Sequence, residues 1–155
     1  MILSAHDGDD DTLFTNRASS TDLTEFHPSP AQIFHLWQVF LDTVHPILKI
    51  FHAPSLQKDI LKTAFDLSSA SAALHGLLQA IYANAVISMS GEDCTAILNE
   101  ERSTLVSRYT EGTRCALQQA GFLVSTDIMV LQAYILYLVS TTISGTVTVY
   151  YCNLH

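Results

Sequence analysis

The sequence predicts an all-α fold, a multi-helix bundle of about five to six helices with an acidic disordered N-terminal segment and an irregular C-terminal tail. Three observations carry that prediction. Apolar residues return at steps of three and four along successive stretches, the period of one helix face. Ser, Pro and Gly stand where helices start and stop. The chain's 155 residues, 48% hydrophobic and 14% charged, can bury one core and are too few for two ordinary domains.

Residues 1–27 hold six acids and one Arg, are rich in Ser and Thr, and end in His27-Pro28-Ser29-Pro30. They read as a flexible acidic lead-in. The run Asp7-Gly8-Asp9-Asp10-Asp11-Thr12 offers oxygens at alternate positions, as a calcium loop does. Thr12 stands where that loop needs Gly and Ala18 where it needs Glu, so the run reads as solvated charge.

Order is expected from Ser29, a good N-cap, and Pro30, whose missing N–H costs nothing in a first turn. Ile33, Leu36, Trp37, Phe40, Leu41 and Val44 form one stripe, and the helix should end before Pro46. Pro46 to His52 is almost wholly apolar and reads as a buried connector ending at Pro54. Ser55 would cap a second helix carrying Leu56, Ile60, Leu61, Ala64 and Phe65 inward.

The longest regular stripe is Leu74, Leu77, Leu78, Ile81, Tyr82, Ala85, Val86 and Met89, with so thin a polar face that this helix should be central. Ser90 with Glu92 and Asp93 reads as a cap with acids in the first turn. A short helix over Cys94 to Leu98 should precede a longer one over Glu100 to Ala120, which turns Leu105, Tyr109, Ala116 and Leu117 inward and closes at Gly121. Ser125 or Thr126 would start a last helix near Asp127 with Ile128, Leu131, Ile135 and Leu138 as its stripe. From Thr141 onward, Thr, Val and Tyr alternate around Gly145, a pattern that prefers strand or no fixed structure. The expected organisation is therefore a lead-in over 1–27, a helical region over 28–140 and an irregular or β-prone tail over 141–155.

Composition excludes several functions. Seven Lys and Arg against fifteen acids argue against nucleic-acid binding by this chain, because that affinity comes from neutralised phosphates. Cys94, Cys115 and Cys152 are too few and too far apart for a disulfide framework or a metal clip. His45 and His52 lack a carboxylate at ligand spacing. No nucleophile elbow or phosphate-cradling glycine loop is present, so no catalytic, cofactor or metal residue is assigned and an enzyme is not expected. The uncharged run after Asp127 raises a membrane span, but only Ile128 to Val139 is densely apolar and no basic cluster flanks it.

The ordered set Leu36-Trp37, Val44-His45-Pro46, Lys49 and His52-Ala53-Pro54 resembles the opening of the regulatory, or middle homology, domain of fungal zinc binuclear cluster transcription factors. Further matches are Leu77 to Val86, the Arg108-Tyr109 pair, and Leu131 to Leu138. The resemblance covers roughly residues 28–140 and implies an all-α, non-enzymatic regulatory module in the nucleus, working through protein contacts. In it, Trp37 anchors the core while His45 and Pro46 shape a packed corner. The six-cysteine cluster that holds zinc in such proteins has no counterpart here, so zinc is expected only in a longer relative. Against the resemblance, the chain reads as a truncated product or an imperfect gene model, whose uncovered apolar helix faces would bind protein partners or associate with themselves. A stand-alone helical interaction module is the alternative, and a small membrane-anchored protein using the helix from Ile128 is a further one.

Overall fold

A computed structural model describes residues 21–153, with side chains up to residue 145. The Asp7–Thr12 run and the rest of the acidic stretch up to residue 20 lie outside the described residues. Five long helices make the bundle: α1 (Pro30–Thr43), α3 (Ala53–Phe65), α4 (Ala72–Ser88), α6 (Arg102–Gln119) and α7 (Ile128–Asn153). Two short pieces join them, α2 (His45–Leu48) and α5 (Gly91–Asp93), the latter running into a π turn over Cys94–Leu98. No strand occurs among the described residues.

Local chemistry sets the starts. Ser29 and Gln32 form a reciprocal capping box, with the Gln32 N–H on Ser29 Oγ at 3.4 Å and the Ser29 N–H on Gln32 Oε1 at 3.2 Å. Ser71 and Ser90 accept from the N–H groups of Leu74 and Asp93 at 3.2 and 3.0 Å. At α7 the cap is Asp127 itself, whose carboxylate accepts the Met129 N–H at 2.9 Å, rather than Ser125 or Thr126. Gly121, at φ +63°, supplies the left-handed residue after α6, and the Phe122 N–H returns to the Leu117 carbonyl at 3.1 Å.

Helix α4 is the axle. Every residue from His75 to Val86 is buried, and α1, α6 and α7 pack around it. Close approach is possible because the contact points are small: a Cβ on Gly76 would sit 3.3 Å from the Ala116 Cβ and 3.8 Å from the Ala133 Cβ. Asn84 fastens α4 to α7 by donating to the carbonyls of Ala80 (2.8 Å) and Leu136 (3.0 Å).

The fold departs from the sequence expectations in five places. The lead-in is not free up to His27: Leu23–Phe26 forms a 3-10 turn with Leu23 buried, and Gln119 donates to the Thr21 carbonyl at 2.9 Å. The connector is not buried, since Pro46 sits exposed in the first turn of α2 and Ile47 is 80% exposed. Helix α3 begins at Ala53 rather than after Ser55, because a proline is tolerated in a first turn, and its Phe65 is 78% exposed.

The stripe expected inward on α7 faces out. Val130, Ala133, Leu136 and Ser140 are buried instead, while Ile128, Leu131 and Leu138 are exposed. A helix apolar all round has no periodic signal to choose its side, and the small residues Ala133 and Ser140 decide it by allowing close packing. Finally, α7 continues to Asn153 through the stretch expected to be irregular or β-prone. Propagating an established helix costs far less than nucleating one, and this offsets the weak strand preference of Thr and Val.

Candidate functional site

The motif residues gather at the corner between α1 and α3. Leu36 is fully buried and Trp37 nearly so, on the face of α1 that meets the core. Trp37, Phe40, Phe51 and His45 form a run of near-parallel rings: Trp37 to Phe40 at 6.2 Å, Phe40 to Phe51 at 5.7 Å, and Phe51 to His45 at 5.4 Å between centroids. Val44 ends α1 half-buried, and exposed Pro46 is the second residue of α2. Lys49 then takes φ +40°, which turns the chain so that Phe51 folds back on the stack. His52 and Pro54 lie outside it, exposed, with His52 Nδ1 2.8 Å from Ser55 Oγ. The structure thus brings Trp37 and His45 together and leaves His52 apart, so the two histidines share no site. Trp37 Nε1 and His45 Nδ1 are buried without a hydrogen-bond partner among the described residues. This corner is apolar and aromatic, a packed joint between α1 and α3.

A second cluster had no signal in the sequence, because its members are 48 and 55 residues apart. His27 follows the 3-10 turn and inserts its ring beside α4, with Nε2 2.8 Å from His75 Nδ1 and Nδ1 3.1 Å from the Tyr82 hydroxyl. The assignment that pairs every atom has the Tyr82 O–H donating to His27 Nδ1 and the His27 Nε2–H donating to His75 Nδ1. Both rings are then neutral. Burial, with the His75 charge adding to it, pushes His27 down to about 3. Burial also lowers His75, while the charge of Asp22 and a backbone hydrogen bond with Leu67 work the other way. Tyr82 is driven up by burial and Tyr109 up to about 12 by the same cause. These groups hold the turn down, and His75 also lines an open pocket of about 420 Å³ together with Asp22, Ser68 and Gln119.

Two ion pairs involve arginines of α6. Arg108 forms a two-pronged pair with Glu100, and Arg114 pairs with Glu111. Burial raises the thiols of Cys94 and Cys115, which keeps them protonated and poor nucleophiles. No group of three or more His, Cys, Asp or Glu that could hold a metal occurs among the described residues. An open groove of about 840 Å³ runs between α6 and the outer half of α7, lined in part by Ile87, Arg102, Val106, Thr110 and Ile143.

Apolar residues are also exposed along α7 and in the loop before it. Ile128 is 64% exposed, Leu131 51% and Leu138 44%, and Leu123 and Val124 beside them in the loop before α7 are more exposed still. Ile128–Gly145 is long and apolar enough to cross a membrane by length and composition, and 22% of it is buried in the fold. A helix packed on one side of a bundle passes the same test.

The chain is thus an all-helical bundle with an aromatic corner, an N-terminal turn held against α4 and an exposed apolar strip on α7. No family model matches the chain, and no solved structure matches it. Curated proteins do. It is 43% identical over 128 residues to the aurofusarin cluster transcription factor aurR2 of Gibberella zeae, covering 83% of this chain and 19% of that protein. It is 38% identical over 131 residues to the transcriptional regulator AacuB of Aspergillus aculeatus, covering 84% and 18%. The C6 finger domain transcription factor nscR of Aspergillus fumigatus shares 35% over 108 residues, covering 68% and 14%. This chain is therefore homologous, over most of its length, to a segment of fungal transcription factors. It spans about a fifth of the length of the relatives it matches.

Proposed function

We propose that this chain is a non-enzymatic regulatory segment of the middle-domain kind, acting in the nucleus by protein contacts that modulate transcription. The observation that carries this reading is the 43% identity to a transcription factor over 83% of the chain. The chemistry is consistent with it: the motif residues Leu36, Trp37, Val44, His45 and Pro46 build a packed corner, and the bare apolar surface is suited to another protein. With net charge −8, the chain itself would leave DNA to other parts of such regulators. Zinc likewise belongs, on this reading, to a cysteine cluster that these 155 residues do not contain.

The test is a tethering assay. The chain, fused to a heterologous DNA-binding domain and expressed in a fungal nucleus, should shift output from a reporter carrying that domain's site relative to the domain alone. Equal output at equal protein level would sink the reading. Recovery of the unfused chain in carbonate-washed membranes would favour the membrane-anchored alternative, motivated by the apolar run Ile128–Gly145.

A further inference from the structure

Residues 21–27 lie across α4 and α6 as a strap, pinned at both ends. Gln119 of α6 donates to the Thr21 carbonyl at 2.9 Å, and the His27 ring reaches His75 and Tyr82 of α4. Leu23 is the strap's one buried side chain. Phe26 covers a notch in α6 at Gly112, where an added Cβ would stand 3.0 Å from the Phe26 ring and 2.9 Å from Gln79 Oε1. Closure has a cost there. Gln79 is 1% exposed, and its amide oxygen and nitrogen both lack a hydrogen-bond partner among the described residues. Lifting Phe26 opens the notch, and Gln79 beside it, to water. Solvent already reaches the strap along its length, through the 420 Å³ pocket at Asp22 and His75 and a 540 Å³ hollow lined by Phe26, Ser107 and Arg108.

We infer that acid releases this strap as a unit while the bundle stays folded, and that the released strap and its socket hold two more protons than the closed form. Hydrogen-bond geometry sets the number. His27 Nε2 and His75 Nδ1 face each other at 2.8 Å, a gap that holds one hydrogen and no more. In the neutral cluster His27 supplies that hydrogen, and the Tyr82 O–H donates to His27 Nδ1 at 3.1 Å. One extra proton can be housed on His27 Nδ1, because the Tyr82 oxygen can turn from donor to acceptor. A second, on His75 Nδ1, sets N–H against N–H and breaks the pin.

The surrounding charges do not relieve this. On the strap, Glu25 is exposed and the Asp22 carboxylate, which favours charge on His75, is engaged by the Thr24 N–H and hydroxyl. Asp66, in the connector before α4, is engaged by the Ser68 hydroxyl at 2.7 Å. Tyr82 of α4 and Tyr109 of α6 stay neutral, and Arg108 and Glu111 of α6 are paired with Glu100 and Arg114. Once the strap lifts, both imidazoles meet water and titrate as ordinary histidines. Each proton taken up favours opening about tenfold per pH unit, so two favour it about a hundredfold. The packing of α1, α6 and α7 on α4 does not run through the strap, so local release leaves the bundle intact. It frees the acidic stretch before Thr21 from α6 and uncovers His75, Gln79 and Tyr82.

An NMR titration of the full chain tests this. Between pH 6.5 and about 3, the ring signals of His27 and His75 should change in one step with a Hill coefficient of about 2. In the same step the Leu23 methyls and the Phe26 ring should move to open-chain shifts, while the Leu36 and Leu136 methyls keep their folded ones. Two separate one-proton steps, or a Leu23 that stays packed throughout, overturn the inference. So does loss of Leu23 and Leu136 packing in a single transition, which would make the strap part of global unfolding. His75→Gln keeps an acceptor for His27 Nε2 and removes one titrating ring, so its release should fall to a Hill coefficient of about 1. A release as steep as in the native chain would refute the two-proton count.

Discussion

Helices α4 and α7 are both apolar nearly all round, yet α4 is buried on every side and α7 on one. The difference lies in where small residues fall. On α4, Gly76 meets both Ala116 of α6 and Ala133 of α7, so two neighbours close in. On α7, Ala133 and Ser140 share the one face that touches the bundle, while the opposite face presents Leu and Ile. Hydrophobicity therefore fixes how much surface wants cover, and side-chain size fixes which side receives it first.

The sharpest way to break this comparison is to cut equal side chains from its two faces. Leu136→Ala removes a fully buried side chain between α7 and α4 and should cost about 2–5 kcal/mol. Leu131→Ala, five residues earlier on the same helix, should stay within about 0.5 kcal/mol in dilute solution. Urea midpoints at low protein concentration decide it. Equal losses would mean that the outer face is already covered within one chain.

The joint between the two helices is the next largest effect. Asn84→Ala deletes the donor that bridges Ala80 and Leu136, leaving the Leu136 carbonyl buried without it, and should cost about 1–3 kcal/mol. Its signature is loss of amide-exchange protection in α7 ahead of α1. Loosening spread evenly over the bundle would show that α7 is not held to α4 by this contact.

Much of this arrangement was legible in the sequence and one part was not, for a physical reason. The boundaries of α1 follow from Ser29, Pro30 and Pro46, and the centrality of α4 from its thin polar face, because caps and bare faces are local facts. The wall that α7 chooses is a property of two surfaces fitting, and in an all-apolar helix the sequence is nearly silent about it. His27, His75 and Tyr82 sit together for the same reason: only the closed fold makes them neighbours. The corner at Trp37 and His45 lies between these cases, since its prolines were readable and its ring stack was not.

That histidine cluster gives acid a selective handle on the α4 side of the comparison. The fold holds His27 neutral, at about 3 against 6.5 in the open chain, so below about pH 6.5 the unfolded state takes up a proton that the folded state refuses. The stabilisation is full above that value and drains as pH falls toward 3. Between pH 7 and 5.5 the loss should be about 1 kcal/mol, with His75 adding to it in the same direction, and Asp22 opposing through His75. His27→Gln should flatten this part of the profile when urea midpoints are followed against pH. An unchanged slope would show that His27 is not the group that titrates.

The smallest expected effect asks whether the two ends of α7 behave as one helix. Gly145 lies inside α7 with nothing within 4 Å of where a Cβ would stand, and its φ is not in the left-handed region. Gly145→Ala should therefore stabilise the local helix by up to about 1 kcal/mol through reduced freedom of the open chain. If the outer half of α7 opens independently, amide exchange should slow over residues 141–153 while the global urea midpoint stays put. If the midpoint rises by the full amount, that half is cooperative with α4, and the one-sided burial of α7 is enough to hold its whole length.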